Sequence, residues 1–277
     1  MDALLHHDPL WLLGLLGALV VTGCVAGLLA GLLGVGGGIV VVPMLYYLFG
    51  SLGVDEAVRM HLTVGTSLAA IIPTSFMSFR AHDARGNLDR ALLRRWAVPL
   101  LLGSLAGILV SALVAGQVLT GLFAAVAVLV ALHMALGSRP GRLGQQLPGT
   151  PWNQLMALVI AGFSTLMGIG GGTLSVPALN AFNYPMHRAV GTAAGIGMLI
   201  SLPGALGFLW QGWQAPSLPP LSLGYVNLAG VALIVPLTML VAPLGVRLAG
   251  RLDARHLQRL FALFLLLTSA RMVADLL

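Results

Sequence analysis

The chain has 277 residues, of which 58% are hydrophobic and only 8% charged, with a mean hydropathy of +0.97. Soluble domains carry roughly 25% charged residues, so a soluble globular domain is excluded and a polytopic membrane protein is expected. The formal net charge is +6, but all 14 basic residues are arginines strung between apolar runs, which argues against a nucleic-acid-binding surface and makes the charge a signal of topology.

The N-terminal stretch MDALLHHDPL carries acids and histidines where a signal peptide carries basic residues, so it is expected to be retained. Leu10–Leu33 is long enough to cross about 30 Å of hydrocarbon and contains the single cysteine, Cys24, a small packed apolar residue that leaves no disulfide within the chain. Directly after it comes GVGGGIVVVP, Gly34–Pro43. The apolar run that follows ends near Phe49, which is short for a crossing and predicts a broken helix starting within the bilayer. His61–Phe79 is the next span. Arg80–Arg95, the most charged stretch, is expected in water on the cytoplasmic side. Trp96–Ala115 and Val118–Gly137 predict a helical hairpin, and the segment with Arg139, Arg142 and three prolines predicts a linker.

The second half repeats this order. Asn153–Met167 leads into GIGGGTLSVP, Gly168–Pro177, and Thr173–Phe182 is again short. Val190–Leu209 is a span, and the uncharged Trp210–Gly224 loop places Trp210 and Trp213 at the membrane interface. Tyr225–Ala249 returns, Arg247–Arg259 is a second basic turn, and Leu260–Leu277 is the last span. Beyond the glycines, MHLTVGTS (Met60–Ser67) matches MHRAVGTA (Met186–Ala193), and QVLTGLF (Gln117–Phe123) resembles HLQRLF (His256–Phe261). An odd number of segments per half inverts the second copy. With the N- and C-termini outside, the clusters Arg80–Arg95 and Arg247–Arg259, with Arg139, Arg142 and Arg188, fall inside and only Arg59 and Arg271 are left outside, where Asp2, Asp8, Asp55, Glu56 and Asp275 also fall. The expected fold is therefore an all-α polytopic membrane protein of two inverted-topology repeats. Each has about five helical segments, short or broken at the Gly-rich turns, with boundaries 1–137, 138–152 and 153–277. The two motifs then enter from opposite faces and meet near the midplane.

Glycine lets backbone N–H groups crowd together, and the first N–H groups of a helix lack internal partners; that is a place to hold an anion. A helix N-terminus contributes only about 0.3–1 kcal/mol. Direct N–H bonds, at roughly 1.5–3 kcal/mol each to a charged group, therefore carry the binding. The candidate donors are Gly36, Gly37, Gly38, Gly170, Gly171 and Gly172, with hydroxyls from Thr66, Ser67, Thr173 and Thr192. Close helix packing by the glycines and bonding of the hydroxyls to their own helix carbonyls are the competing readings. Pro43 and Pro177 are expected to break or kink their helices. Arg59 with His61, and Arg188 with His187, occupy equivalent places at opposite mouths, as anion-attracting gates or as interfacial polar residues. His133 is expected to be packed or hydrogen-bonded and Arg271 to pair with Asp275, while Asn180 and Asn183 share a helix face. No nucleophile, paired carboxylates or metal cluster lies in the spans, so no enzyme activity, metal or cofactor is expected.

The paired G-x-G-G-G-x-x-x-x-P motifs, each after a hydrophobic helix and each followed by VGTS or VGTA, resemble the sulfite exporter TauE/SafE family over roughly Leu12–Leu276. The resemblance implies a bacterial inner-membrane permease for sulfur-containing anions such as sulfite and organosulfonates. The second VGT run ends in Ala193 where the first has Ser67, so any hydroxyl role there belongs to one half. The implied partners are a small anion and the bilayer, with no nucleic acid; a homodimer is left open. None of the eight acidic residues lies well inside a span. An inside-negative potential drives an anion outward by about 2.3 kcal/mol per charge per 100 mV, which favours uncoupled export. Coupling through histidine, or through sodium held by carbonyls, stays open. An anion channel or a non-transporting membrane assembly protein are the alternatives.

Overall fold

A computed structural model describes residues 14, 17, 19–28, 37–136, 143–216, 218–249 and 254–276. Gly34, Gly36, Arg139 and Arg142 lie outside the described residues, as does half of the expected first span. The described chain forms ten helices: α1 (Leu19–Leu28), α2 (Gly38–Ser51), α3 (Glu56–Ala84), α4 (Arg90–Leu113), α5 (Gly116–Leu136), α6 (Trp152–Met167), α7 (Gly171–Ala181), α8 (Met186–Gln211), α9 (Leu228–Ala249) and α10 (Ala254–Ala274). One two-stranded antiparallel ribbon, β1 (Ser222–Leu223) with β2 (Val226–Asn227), interrupts the Trp210–Gly224 region. Helices α3, α4, α5 and α8 are long and apolar enough to cross a membrane. Helix α7, with 11 residues, reaches only about 16 Å at 1.5 Å per residue.

The helices begin where local chemistry allows. Asp55 caps α3 by accepting the Ala57 N–H (2.9 Å), and Asp89 caps α4 by accepting the Leu92 N–H (2.8 Å). Helix α7 starts at Gly170, whose extended backbone no side chain caps. Pro43 and Pro177 do not end their helices: α2 runs through Pro43 to Ser51 and α7 through Pro177 to Ala181. The break between α6 and α7 falls at the glycines, because glycine loses the most backbone entropy in a helix and offers no side chain to pack. The expected aqueous stretch Arg80–Arg95 is mostly helical, with α3 continuing to Ala84 and α4 starting at Arg90. Asp83 and Arg90 pair across that turn at 2.8 Å, which lets the helices extend beyond the apolar layer.

Helix α3 packs along α8 and α5 along α10, while α4 lies between α6 and α8. Buried side chains such as Tyr46, Phe49, Leu62, Leu68, Phe123 and Phe208 form the larger core. Trp96, Leu100, Ile160, Leu179, Ile196 and Ile200 lie in a second cluster around α4, α6, α7 and α8. Leu102, Leu105 and Leu109 remain exposed along one face of α4, the surface a bilayer covers. Trp210 and Trp213 are also exposed. The described acidic residues sit at or next to helix ends: Asp55, Glu56, Asp83, Asp89 and Asp275.

Two local expectations are corrected. Arg271 does not pair with Asp275; its guanidinium lies 4.7 Å over the Tyr47 ring, and the ion pair among the described residues is Arg90–Asp83. The Asp275 N–H still bonds Arg271 O (3.0 Å), so the helical spacing is kept and it is the guanidinium that turns to the Tyr47 ring instead. Asn183 is not on a helix with Asn180: α7 ends at Ala181, and Asn183 takes a left-handed turn (φ 58°) while donating to Gln145 Oε1 (3.0 Å). His133 lies on an exposed face in the last turn of α5.

Candidate functional site

The two glycine motifs touch. Helix α6 ends at Gly168, which adopts a left-handed conformation (φ 67°), and Gly170 then opens α7. A Cβ placed at Gly38, the first residue of α2, would lie 3.0 Å from Gly168 O, 3.0 Å from Gly170 N and 2.8 Å from Ile71 Cδ1. The backbones therefore meet where a side chain on Gly38 would stand. Gly171 is equally confined, since a Cβ there would lie 2.5 Å from Gly197 N. Gly37 has room: the nearest atoms to its Cβ would be those of Ala26, at 3.5 Å and beyond. Gly38, Gly170, Gly171, Gly172 and Thr173 are buried, and Gly37 is half-buried. The N–H groups of the first turns of α2 and α7 have no carbonyl within their own helix to bond.

The expected hydroxyl donors divide. Ser67 Oγ donates to Gly168 O (2.7 Å) and so ties α3 to the second glycine turn; at the equivalent Ala193 no such bond is possible. Thr66 and Thr192 hold loops. Thr66 Oγ1 donates to Leu62 O (2.6 Å) and accepts the Asn227 N–H (2.9 Å). Thr192 Oγ1 accepts the Asp89 N–H (3.0 Å). Each loop residue also caps the next helix, Asn227 Oδ1 accepting from Gly230 N (2.8 Å) and Asp89 Oδ1 from Leu92 N (2.8 Å). The glycine before each threonine makes room for the loop two residues upstream: a Cβ at Gly65 would strike Tyr225 O, and one at Gly191 would lie 2.5 Å from Asn87 O. The VGT runs are thus docking sites for the entries to α9 and α4. Asp89 and Asn227 were not among the expected residues. Their signal was an Asp or Asn immediately before an apolar helical run, a helix start signature.

The expected gates also separate. At the Thr66 end, Arg59 turns back to donate to Val54 O (3.3 and 3.1 Å) and lies 5.3 Å over the Tyr46 ring. His61 is buried and 3.0 Å from Ser111 O; a carbonyl only accepts, so Nε2 carries the proton. Ser111 Oγ donates to Gln211 Oε1 (3.2 Å), and Gln211 Nε2 donates to Ile108 O (2.6 Å). This chain of bonds joins α3, α4 and α8 beside a cavity of about 680 Å³ whose lining includes Asp55, Glu56, His61, Ser111, Gln211 and Tyr225. At the Thr192 end, His187 and Arg188 are exposed. Tyr184 donates to Asp89 Oδ2 (2.5 Å). Burial of Asp89 opposes its ionisation, but the Tyr184 hydroxyl, the Leu92 and Ala91 N–H groups and the nearby Arg188 outweigh it and hold its pKa below the ordinary value. Burial, then the hydrogen bond to Asp89, pushes the Tyr184 pKa up. Among the described residues no group of three or more His, Cys, Asp or Glu side chains is placed to hold a metal.

Comparison with known proteins agrees with this architecture. A probable membrane transporter protein of Haemophilus influenzae is 32% identical over 91% of the chain and 96% of its own length. Proteins of the same description from Methanocaldococcus jannaschii and Bacillus subtilis are 27% and 26% identical, over 88% and 93% of the chain and 90% and 97% of their own lengths. No solved structure gives a significant match. The model of the family described as sulfite exporter TauE/SafE matches residues 19–272, and the chain therefore belongs to that family of membrane transporters.

Proposed function

We propose that the protein is a permease for sulfur-containing oxyanions, such as sulfite or an organosulfonate, and that the anion binds where the two glycine turns meet. The observation that carries this reading is the contact of Gly38 with Gly168 O and Gly170 N, which brings the starts of α2 and α7 to one place. The first N–H groups of both helices precede any carbonyl of their own helix that could accept them, and both helices are too short to span a bilayer from end to end. Glycine-rich backbone within hydrocarbon is tolerated where it is packed in protein or lines a path. In the packed arrangement described, the turns are closed on each other; separating α2 from α7 frees their N–H groups for an anion.

Alternating access follows from movement between halves built as inverted repeats. Supporting this are the α3–α8 and α5–α10 pairings and the parallel use of Gly65–Thr66 and Gly191–Thr192 to dock the following helix. The reading places the protein in a bacterial inner membrane with both termini outside, and takes export as the direction, since the potential drives an anion outward without a coupled ion. Under it, the His61–Ser111–Gln211 bonds close the outer mouth and Asp89–Tyr184 the cytoplasmic one.

The test is thermal unfolding of the purified protein against sulfite, sulfate, thiosulfate, sulfoacetate, taurine, formate and chloride. A ligand at about 100 times its dissociation constant adds about 2.7 kcal/mol of stability. The expected result is a shift with one or two sulfur oxyanions that shrinks in Gly37→Ala, a variant whose Cβ meets only ordinary contacts. Efflux of that anion from loaded proteoliposomes then checks direction, and single-channel recording separates a carrier from a channel. A folded protein that no sulfur anion stabilises would overturn the substrate class.

A further inference from the structure

Serine and threonine in apolar helices ordinarily bond the carbonyl one turn back, and here Thr66, Thr120, Thr238 and Thr268 do so. Ser104 on α4, Ser164 and Thr165 on α6 and Ser201 on α8 do not: all four are 0% exposed and their hydroxyl oxygens have no hydrogen-bond partner. Each such buried group costs about 1–3 kcal/mol if left unpaired, so four of them on three packed helices point to a shared partner.

Their helices form one junction. A Cβ at Gly107 of α4 would lie 3.0 Å from Thr165 Cβ, and one at Gly204 of α8 would lie 3.4 Å from Thr165 Cγ2. Helices α4 and α8 run parallel, since Ile108 faces Gly207 and, one turn on, Ser111 bonds Gln211. Ser104 and Ser201 each precede the glycine that meets Thr165 by three residues, so both lie one turn along the same face and at one level. Ser104 and Ser201 thus stand on the two helices that flank Thr165, one turn before the level of its contacts, and Ser164 adjoins Thr165 in sequence.

We propose that this junction binds a small monovalent cation, for which Na⁺ is the probe. Ser164 and Thr165 lie in the last turn of α6, where the helix carries partial negative charge that favours a cation and disfavours an anion. All the ligands are neutral oxygens, which suits a hard cation of single charge; the tightly held divalent ions take carboxylates. The site is linked to the glycine turn, because Ser164 O and Thr165 O accept the N–H groups of Ile169 (3.0 Å) and Gly168 (3.3 Å). An ion on these two residues fixes the turn that carries Gly170–Gly172. Only this linkage rests on the anion reading; the cation site stands without it.

The experiment is thermal unfolding of the purified full-length protein in NaCl, KCl and choline chloride at constant chloride, with no sulfur anion present. The expected result is a saturable rise in Tm with Na⁺ that choline does not give. Thr165→Val and Ser201→Ala should unfold normally in choline and raise the half-saturating Na⁺ concentration by about tenfold or more. Equal Tm values in all three salts would overturn the proposal, as would a Na⁺ response that survives in both variants. Because no sulfur anion is added, failure here leaves the anion site untouched, and failure of the anion panel leaves this site untouched.

Discussion

At one end Thr66 receives the N–H of Asn227, and at the other Thr192 receives that of Asp89. Each arrangement uses a glycine to admit the loop, a threonine oxygen to hold it and a short polar side chain to start the next helix. They differ in what surrounds the cap. Asn227 is buried, with its amide donating to Pro220 O (3.1 Å) and Ser222 Oγ (3.0 Å), a neutral network closed within its own loop. Asp89 is half-buried and charged, and its second oxygen accepts from Tyr184 on the loop before α8. The same backbone device is therefore a fixed joint at the Thr66 end. At the Thr192 end it is an ionisable one that links two loops.

The glycines give the largest expected difference. A Cβ at Gly65 would strike Tyr225 O and also lie 2.9 Å from Cβ of the fully buried Phe208, whereas the three atoms nearest to one at Gly191 all belong to Asn87. The Asn87 loop can shift towards solvent; the Phe208 wall cannot. Gly65→Ala is expected to cost about 3 kcal/mol or more, at the upper end of overpacking, and Gly191→Ala about half as much. Yield of monodisperse protein and Tm check the order, and equal losses would show that the two joints are equally rigid.

The threonines come next. Thr66→Val strips a partner from the buried Asn227 N–H, and Thr192→Val strips one from the part-buried Asp89 N–H. An unsatisfied buried donor costs about 1–3 kcal/mol, and water can replace the partner only where it reaches. Thr66→Val should therefore lower stability by about 2 kcal/mol and Thr192→Val by about 1, read from unfolding midpoints in detergent. Ser and Ala at the next position sharpen the contrast. Ser67→Ala removes the bond to Gly168 O but leaves a carbonyl that keeps a second lone pair, so its cost is expected to fall near the 1 kcal/mol of an ordinary hydrogen bond.

How much of this was legible in the sequence follows from what each residue is for. The short helices α2 and α7 were visible because a glycine run followed by too few apolar residues limits helix length by itself. The meeting of the two motifs was expected from the duplication. The roles of Thr66 and Thr192 were not, because a donor to substrate and a receiver of a loop N–H have the same sequence. Their partners lie 161 and 103 residues away, and no local pattern carries that distance. Arg59 looked like a gate for the same reason: charge at a mouth is legible, but its contact with Tyr46 and Val54 O depends on how α2 and α3 pack.

The smallest effect separates the charged joint from the neutral one. Asp89→Asn gives the Thr192 end the cap residue that the other end already has, and Asn and Asp cap helices about equally well, so stability at neutral pH should change by only a few tenths of a kcal/mol. The pH dependence should change more. Because folding lowers the Asp89 pKa, the wild-type joint contributes stability that is complete above the unfolded carboxylate value, about 3.9, and is lost as pH falls through the lower folded value. In Asp89→Asn that component of acid sensitivity should vanish, and Tyr184→Phe, which removes the hydroxyl donor, should reduce it part of the way. Tm measured from pH 7 down to pH 3 for the three proteins tests this directly. If the wild type and Asp89→Asn lose stability in parallel, the charge on Asp89 does not hold the two loops together, and both joints are fixed by the threonine and the cap alone.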